Sequence, residues 1–162
     1  MPSRRTLLWT VGTASLAATA GCSALDRGVP GYVQLKSIEG VRTDDGTRHG
    51  ESILRVTLSS PPGGRPELSH VNDEWVDRFE TPHTPTVSDA LAADLSAAFD
   101  EVRYVVGVCS PKWADDGEPI GCYNVNTTRK TFDRAQVHDR VRASSDGTYL
   151  TVHAVDGEWN FE

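Results

Sequence analysis

The chain has 162 residues, with 16 Lys and Arg against 23 Asp and Glu, and a net charge of −7. That length suits one domain with a genuine core. The acidic balance excludes a nucleic-acid surface, which needs clustered Lys and Arg to displace counterions. Arg129-Lys130 is only a pair and reads as a solvated turn.

Arg4 and Arg5 precede an uncharged run from Leu7 to Ala20, which leads through small residues to Cys22. As a helix those fourteen residues reach about 21 Å at ~1.5 Å per residue, short of the ~20 apolar residues of a membrane span. The run has no polar face, unlike an amphipathic core helix. The layout predicts a secretory signal peptide over 1–21, outside the fold proper.

Ser3-Arg4-Arg5-Thr6-Leu7-Leu8 resembles the twin-arginine export signal, with Leu7 and Trp9 where that family often carries Phe and Lys. Thr19-Ala20-Gly21-Cys22 resembles a lipobox, Thr19 standing where Leu, Val or Ile is usual. The resemblance implies cleavage before Cys22, a lipid thioether on its sulfur and a mature chain of 22–162. Buried lipid carbons then hold the protein at about 0.8 kcal/mol per CH2.

Loss of Arg4 and Arg5 with the leader takes the net charge from −7 to −9. Lysines are only Lys36, Lys112 and Lys130, aspartates outnumber glutamates, and Ile is scarce. This composition is similar to that of proteins from salt-loving archaea. At about 1 M salt the Debye length is near 3 Å, so dense carboxylates barely repel. The chain thus resembles a haloarchaeal exported lipoprotein, through its first 22 residues and its bulk composition alone. The resemblance implies a cell-membrane protein, lipid-anchored at Cys22 and facing outside.

Residues 22–30 read as the lipidated cysteine and a short tether, and 31–162 as a single globular domain. Val33, Leu35 and Ser37 alternate with Gln34 and Lys36, a strand pattern that recurs at Leu54, Val56 and Leu58. Asp44-Asp45-Gly46 offers a turn, which predicts a hairpin over about 32–59 with a long polar tip near 42–50. Five prolines between 60 and 85 predict a surface loop, with one helical turn around Glu74–Phe79. A helix is predicted from Thr86, capped there with Asp89 three residues on. Val87, Leu91, Leu95, Ala98 and Phe99 form its apolar face.

Val102–Ser110 is rich in β-branched residues and predicts a central strand, followed by a shorter one over Ile120–Val125. Val137–Ala143 and Thr148–Val155 predict a hairpin across Ser144-Ser145-Asp146-Gly147. Asp156-Gly157 then leads to an edge strand at Glu158–Phe161. The sum is an α+β domain, an antiparallel sheet of five to seven strands with one packed helix. An all-β sandwich is the alternative.

Cys109 and Cys122 remain once Cys22 carries lipid. They are 13 apart on neighbouring predicted strands, and outside the membrane such a pair predicts a disulfide. Metal ligation is disfavoured, because no C-x-x-C occurs and no histidine lies within five residues of either cysteine. The enclosed loop carries Lys112, Trp113, Asp115, Asp116 and Glu118. It is either a binding loop, for a sugar on the Trp or a hard cation on the acids, or a solvated loop whose Trp covers the sheet end. The second reading is preferred, since Asp115-x-Gly117 lacks a calcium-loop ladder. The acids around 72–80 read as a solvated face. Asn126-Thr127-Thr128 is an N-x-T sequon, which makes Asn126 a candidate glycosylation site.

His49, His70, His83, His138 and His153 show no H-x-H or H-E-x-x-H spacing. No G-x-S-x-G elbow and no P-loop occurs. No catalytic residue, metal or cofactor is therefore assigned. The favoured reading is a lipid-anchored extracytoplasmic binding or envelope domain, non-enzymatic, with an unidentified protein or small-molecule partner. A small extracytoplasmic hydrolase with a carboxylate or His site is the alternative, and a redox role for Cys109 and Cys122 ranks last.

Overall fold

A computed structural model describes residues 27–162. Arg4, Arg5, the apolar run and Cys22 lie outside the described residues. The domain is an antiparallel seven-stranded sheet with one substantial helix, as the sequence predicts. The first five strands are β1 (Val29–Asp44), β2 (Thr47–Thr57), β3 (Glu67–Val71), β4 (Glu101–Ser110) and β5 (Gly121–Thr127). They lie in the order β3-β2-β1-β4-β5. β6 (Asp139–Ser145) pairs with the start of β1 and with β7 (Leu150–Glu158). A bridge between Asn126 and Tyr149 brings the end of β5 to the start of β7. Thr127 Oγ1 donates to the Leu150 carbonyl there, at 2.9 Å. The path β1-β4-β5-β7-β6-β1 thus returns on itself.

Several boundaries differ from the sequence expectation. The tip of the β1–β2 hairpin is tight: Asp45 and Gly46 turn the chain with φ of 47° and 78°. Two such residues match the right-handed twist of the flanking strands, so both strands run to the turn. β1 begins at Val29, inside the stretch expected to tether. The Pro-rich segment contains an edge strand, β3, its prolines standing outside the ladder. The turn expected at Glu74–Phe79 is a 3-10 turn at Val76–Arg78.

The helix α1 runs Asp89–Ala98, three residues later than predicted, because its cap is Ser88 and not Thr86. Ser88 Oγ accepts from Leu91 N at 3.1 Å. Val87 N is drawn away to Asp133 Oδ1, which keeps that residue out of the helix. Arg129-Lys130 begins a short helix, α2 (Arg129–Arg134), capped by Thr128. No strand forms at the C-terminus. β7 continues through Gly157 to Glu158, and the last residues fold back so that Phe161 meets Tyr32 at 4.9 Å.

One face of the sheet carries the core. Val33, Ile38, Ile53, Leu54, Val56, Val106 and Val108 are covered by Leu91 and Leu95 of α1, by Phe99, and by Phe132 of α2. Each such side chain contributes roughly 1.5–3 kcal/mol on burial. Gly40 makes room for Phe99: a Cβ there would stand 2.4 Å from the ring.

A bulge in β1 decides what the other face carries. Strict alternation would put Val33, Leu35 and Ser37 on one side. The β1–β4 register shifts between Val33 and Leu35, and the extra residue, Gln34, reverses the alternation. Lys36 and Ile38 therefore follow Val33 inward, while Leu35, Ser37 and Glu39 turn to the open face.

Candidate functional site

The open face is shaped by its register. Ser37 stands opposite Arg55 of β2 and Val105 of β4, and Val105 opposite Asn126 of β5. The next row holds Ser52, Glu39 and Arg103, and the row on the other side holds Thr57, Leu35, Gly107 and Asn124. Ser37 is the small residue among the longer side chains of Leu35, Glu39, Arg55 and Arg103. The result is an open groove of about 450 Å³, bounded at one end by Gly147 and Thr148.

Local hydrogen bonds hold its walls. Asp146 Oδ1 accepts from Thr148 N and Tyr149 N, each at 2.8 Å, which fixes the β6–β7 turn against β5. These backbone donors pull the Asp146 carboxyl below its usual range. The Asn124 amide, which lines the groove, lies across Gly107: a Cβ there would meet Asn124 Oδ1 at 2.0 Å. Gln34 Nε2 donates to that same oxygen at 2.8 Å.

Most polar groups in the groove are uncommitted. Ser37 is 1% exposed, and its Oγ is buried without a hydrogen-bond partner. Arg55 is exposed and forms no ion pair among the described residues, while Glu39 stands opposite Arg103 and acts on it electrostatically. Arg103 is engaged, with its Nε 2.6 Å from Glu101 Oε1. A buried hydroxyl without a partner costs about 1–3 kcal/mol. Ser52 Oγ, in the adjoining row, is likewise buried and unpartnered. A concave face with a buried, unpartnered hydroxyl among guanidinium, carboxylate and amide groups can receive a small polar molecule.

The sequence-predicted residues divide across this picture. Cys109 and Cys122 are directly opposed across β4 and β5 and form a disulfide, with Cα atoms 4.1 Å apart. By alternation the bridge shares the groove face, one row beyond Gly107 and Asn124. Asn126 lines the groove itself. The loop of Lys112, Trp113, Asp115, Asp116 and Glu118 lies elsewhere. Trp113 packs edge-on against Tyr123 with centroids 5.0 Å apart, and covers the sheet end. Gly121 lets the Trp113 carbonyl approach: a Cβ would come within 2.0 Å of it. Among the described residues no group of three or more His, Cys, Asp and Glu is placed to hold a metal ion. Ser37, Glu39, Arg55, Arg103 and Asn124 were not singled out by sequence reasoning, because only the bulge at Gln34 puts Ser37 and Glu39 on the face opposite to Val33.

Two buried titratable groups, Lys36 and His138, lie outside the groove. Lys36 is fully buried, its Nζ donating to the Pro85 carbonyl and to Gln136 Oε1 at 2.8 Å each, 4.0 Å above the Phe132 ring. Burial lowers its pKa from 10.5 to about 7, against the opposing pull of Asp133 and Asp139. It is sealed from solvent and ties the loop at Pro85 to α2. His138 has φ of 80° and is buried, and burial lowers its pKa. Its Nε2 accepts from Ser59 N at 3.2 Å and lies 3.3 Å from Ser59 Oγ. Ser59 Oγ donates instead to the Pro61 carbonyl at 2.8 Å. This is a hydroxyl held in a turn, not a nucleophile aimed at a base.

Searches against protein-family models, curated proteins and solved structures find no match to this chain.

Proposed function

We propose that this chain is a lipid-anchored extracytoplasmic binding domain whose open sheet face receives a small polar ligand. The leader with Arg4 and Arg5, and the lipobox-like cysteine, support the compartment. The groove supports the mode. One observation carries it: Ser37 Oγ is buried without a hydrogen-bond partner on the concave face that Arg55, Glu39 and Arg103 also line. Buried polar groups that serve only the fold are normally satisfied within it. The groove is non-enzymatic in this reading, since it holds no nucleophile paired with a base and no carboxylate pair of its own.

The test has two parts. Cell fractionation of the host places the mature protein in the membrane pellet, released by detergent and not by salt. Thermal unfolding of the purified protein against a panel of small polar solutes identifies a stabilising class. Ser37→Leu, which fills the groove floor, abolishes that stabilisation. A panel without effect on either protein overturns the binding role.

A further inference from the structure

We infer that the rim of the domain around the start of β1 is a membrane-contact surface, which lays partly exposed aromatic rings at the headgroup level of a lipid bilayer. The inference rests on the lipid anchor proposed above.

The length of chain before the domain fixes the position. Arg27 follows Cys22 by five positions. Even fully extended, that stretch reaches about 17 Å, at ~3.3–3.6 Å per residue. β1 begins at Val29, so its first residues stay close to the surface that takes the lipid.

Two aromatic clusters border this point. Tyr32 of β1 meets Trp159 at 5.5 Å and Phe161 at 4.9 Å, centroid to centroid. Tyr32 stands about 10 Å along the strand from Val29, at ~3.3 Å per residue. Towards β4, Ser110 Oγ donates to the Pro30 carbonyl at 2.6 Å, and the 3-10 turn Pro111–Trp113 that follows lies against β1. That turn carries Trp113, which packs on Tyr123. All five rings keep some contact with solvent, Tyr123 at 36%. Trp75, by contrast, lies in the core against Phe99.

The chemistry fits a bilayer surface. Trp and Tyr settle at a membrane–water interface, with the ring at the acyl boundary and the N–H or O–H among the headgroups. Arg27 and Arg140 are exposed beside them, the Arg140 guanidinium 5.7 Å from the Trp159 ring centroid. Phosphate oxygens of headgroups accept from guanidinium groups so placed. A tethered domain meets the surface at high effective concentration, so shallow contact by a few rings suffices.

Acids at the same rim set the conditions. Asp115, Asp116 and Glu118 follow Trp113, Glu162 follows Phe161, and all four are exposed. They oppose an anionic bilayer at low salt. At about 1 M salt the Debye length is near 3 Å, which screens that opposition and leaves the apolar contact.

The experiment uses the native lipidated protein in vesicles of anionic phospholipid, with and without bromine on the acyl chains. Flotation reports the anchor, and quenching of tryptophan emission by bromine reports contact. Emission is expected to fall with the brominated lipid, more at about 1 M salt than at about 0.1 M. Trp113→Phe and Trp159→Phe each lose part of the quenching. The double variant, whose mature chain keeps only Trp75, loses all of it. Melting temperatures show whether each variant folds.

Protein that floats with the vesicles while its emission ignores bromine overturns the contact surface and leaves the anchor standing. Quenching that survives in the double variant comes from Trp75 and puts a different face on the bilayer, which also overturns the inference. Quenching lost at about 1 M salt makes the contact electrostatic and overturns the aromatic one. Protein left behind when the vesicles float overturns the anchor, and the inference with it.

Discussion

Ser37 stands directly opposite Arg55 across the β1–β2 ladder, a buried hydroxyl without a partner beside a guanidinium without one. A fold gains nothing from burying the Ser37 hydroxyl unengaged. Ser37→Ala removes the orphaned hydroxyl at small cost in volume, so the ligand-free protein is expected to gain about 1 kcal/mol of stability. Ligand binding weakens at the same time. Urea unfolding with and without ligand reads both effects, and a variant less stable and equally competent in binding contradicts this reading.

Lys36 imposes a pH dependence on stability. Its folded pKa of about 7 lies below the ordinary 10.5. Between those values the unfolded chain holds a proton that the folded chain has released. Stability therefore rises as pH increases from about 7, and the penalty for burying the ammonium is fully present below that pH. Lys36→Met keeps the volume and is expected to flatten the rise. Urea midpoints measured at intervals between about pH 7 and about pH 9 test this; the same slope in both proteins excludes Lys36 as its source.

Gly107 is required by the Asn124 amide that lies across it and not by the turn of the chain. Its missing Cβ would fall 2.0 Å from Asn124 Oδ1 and 3.2 Å from Leu35 Cβ. Gly107→Ala must push the Asn124 amide off the floor and break its bond with Gln34. Ligand affinity is expected to fall by about tenfold, the cost of roughly one lost hydrogen bond. Calorimetric titration of both proteins with the best stabilising solute measures it, and unchanged affinity means that Asn124 is not part of the site.

The Cys109–Cys122 bridge closes a loop of sequence separation 13. Chain-entropy arithmetic for a loop of that size gives about 3 kcal/mol. Reduction, or the double substitution to serine, is expected to lower stability by about that amount while the groove continues to bind. Loss of binding in a variant that remains folded would give the bridge a role beyond stability.

Asn126 is paired with Val105 in the sheet, and its side chain lines the groove. A glycan there would occupy the space assigned to ligand. Asn126 is therefore expected to be bare in the protein that binds, and the mass of the Asn126 peptide from native material decides the matter.

The sequence made the sheet legible where apolar periodicity was strong. The runs around Val106 and Val152 lie buried where expected, and the cysteines face each other. It failed where one residue changes the outcome. The alternation at Val33, Leu35 and Ser37 predicts a strand correctly, yet nothing in it announces the bulge at Gln34 that sends Lys36 inward and Ser37 outward. The site was illegible for that reason. The alternation groups Ser37 with Val33 and Leu35, and its orphaned hydroxyl is a fact of register. The helix cap moved from Thr86 to Ser88 for a similar cause, a long-range bond from Val87 N to Asp133.

The central claim is a tethered domain that holds a small ligand in its groove. The most direct test is a native intact mass of the protein extracted with mild detergent from the membrane fraction of its host. The account predicts residues 22–162 carrying lipid, less two hydrogens for the Cys109–Cys122 bridge, with a non-covalent small-molecule adduct that Arg55→Ala lacks. An uncut, unlipidated chain recovered from the cytosol without adduct would contradict both the anchor and the site.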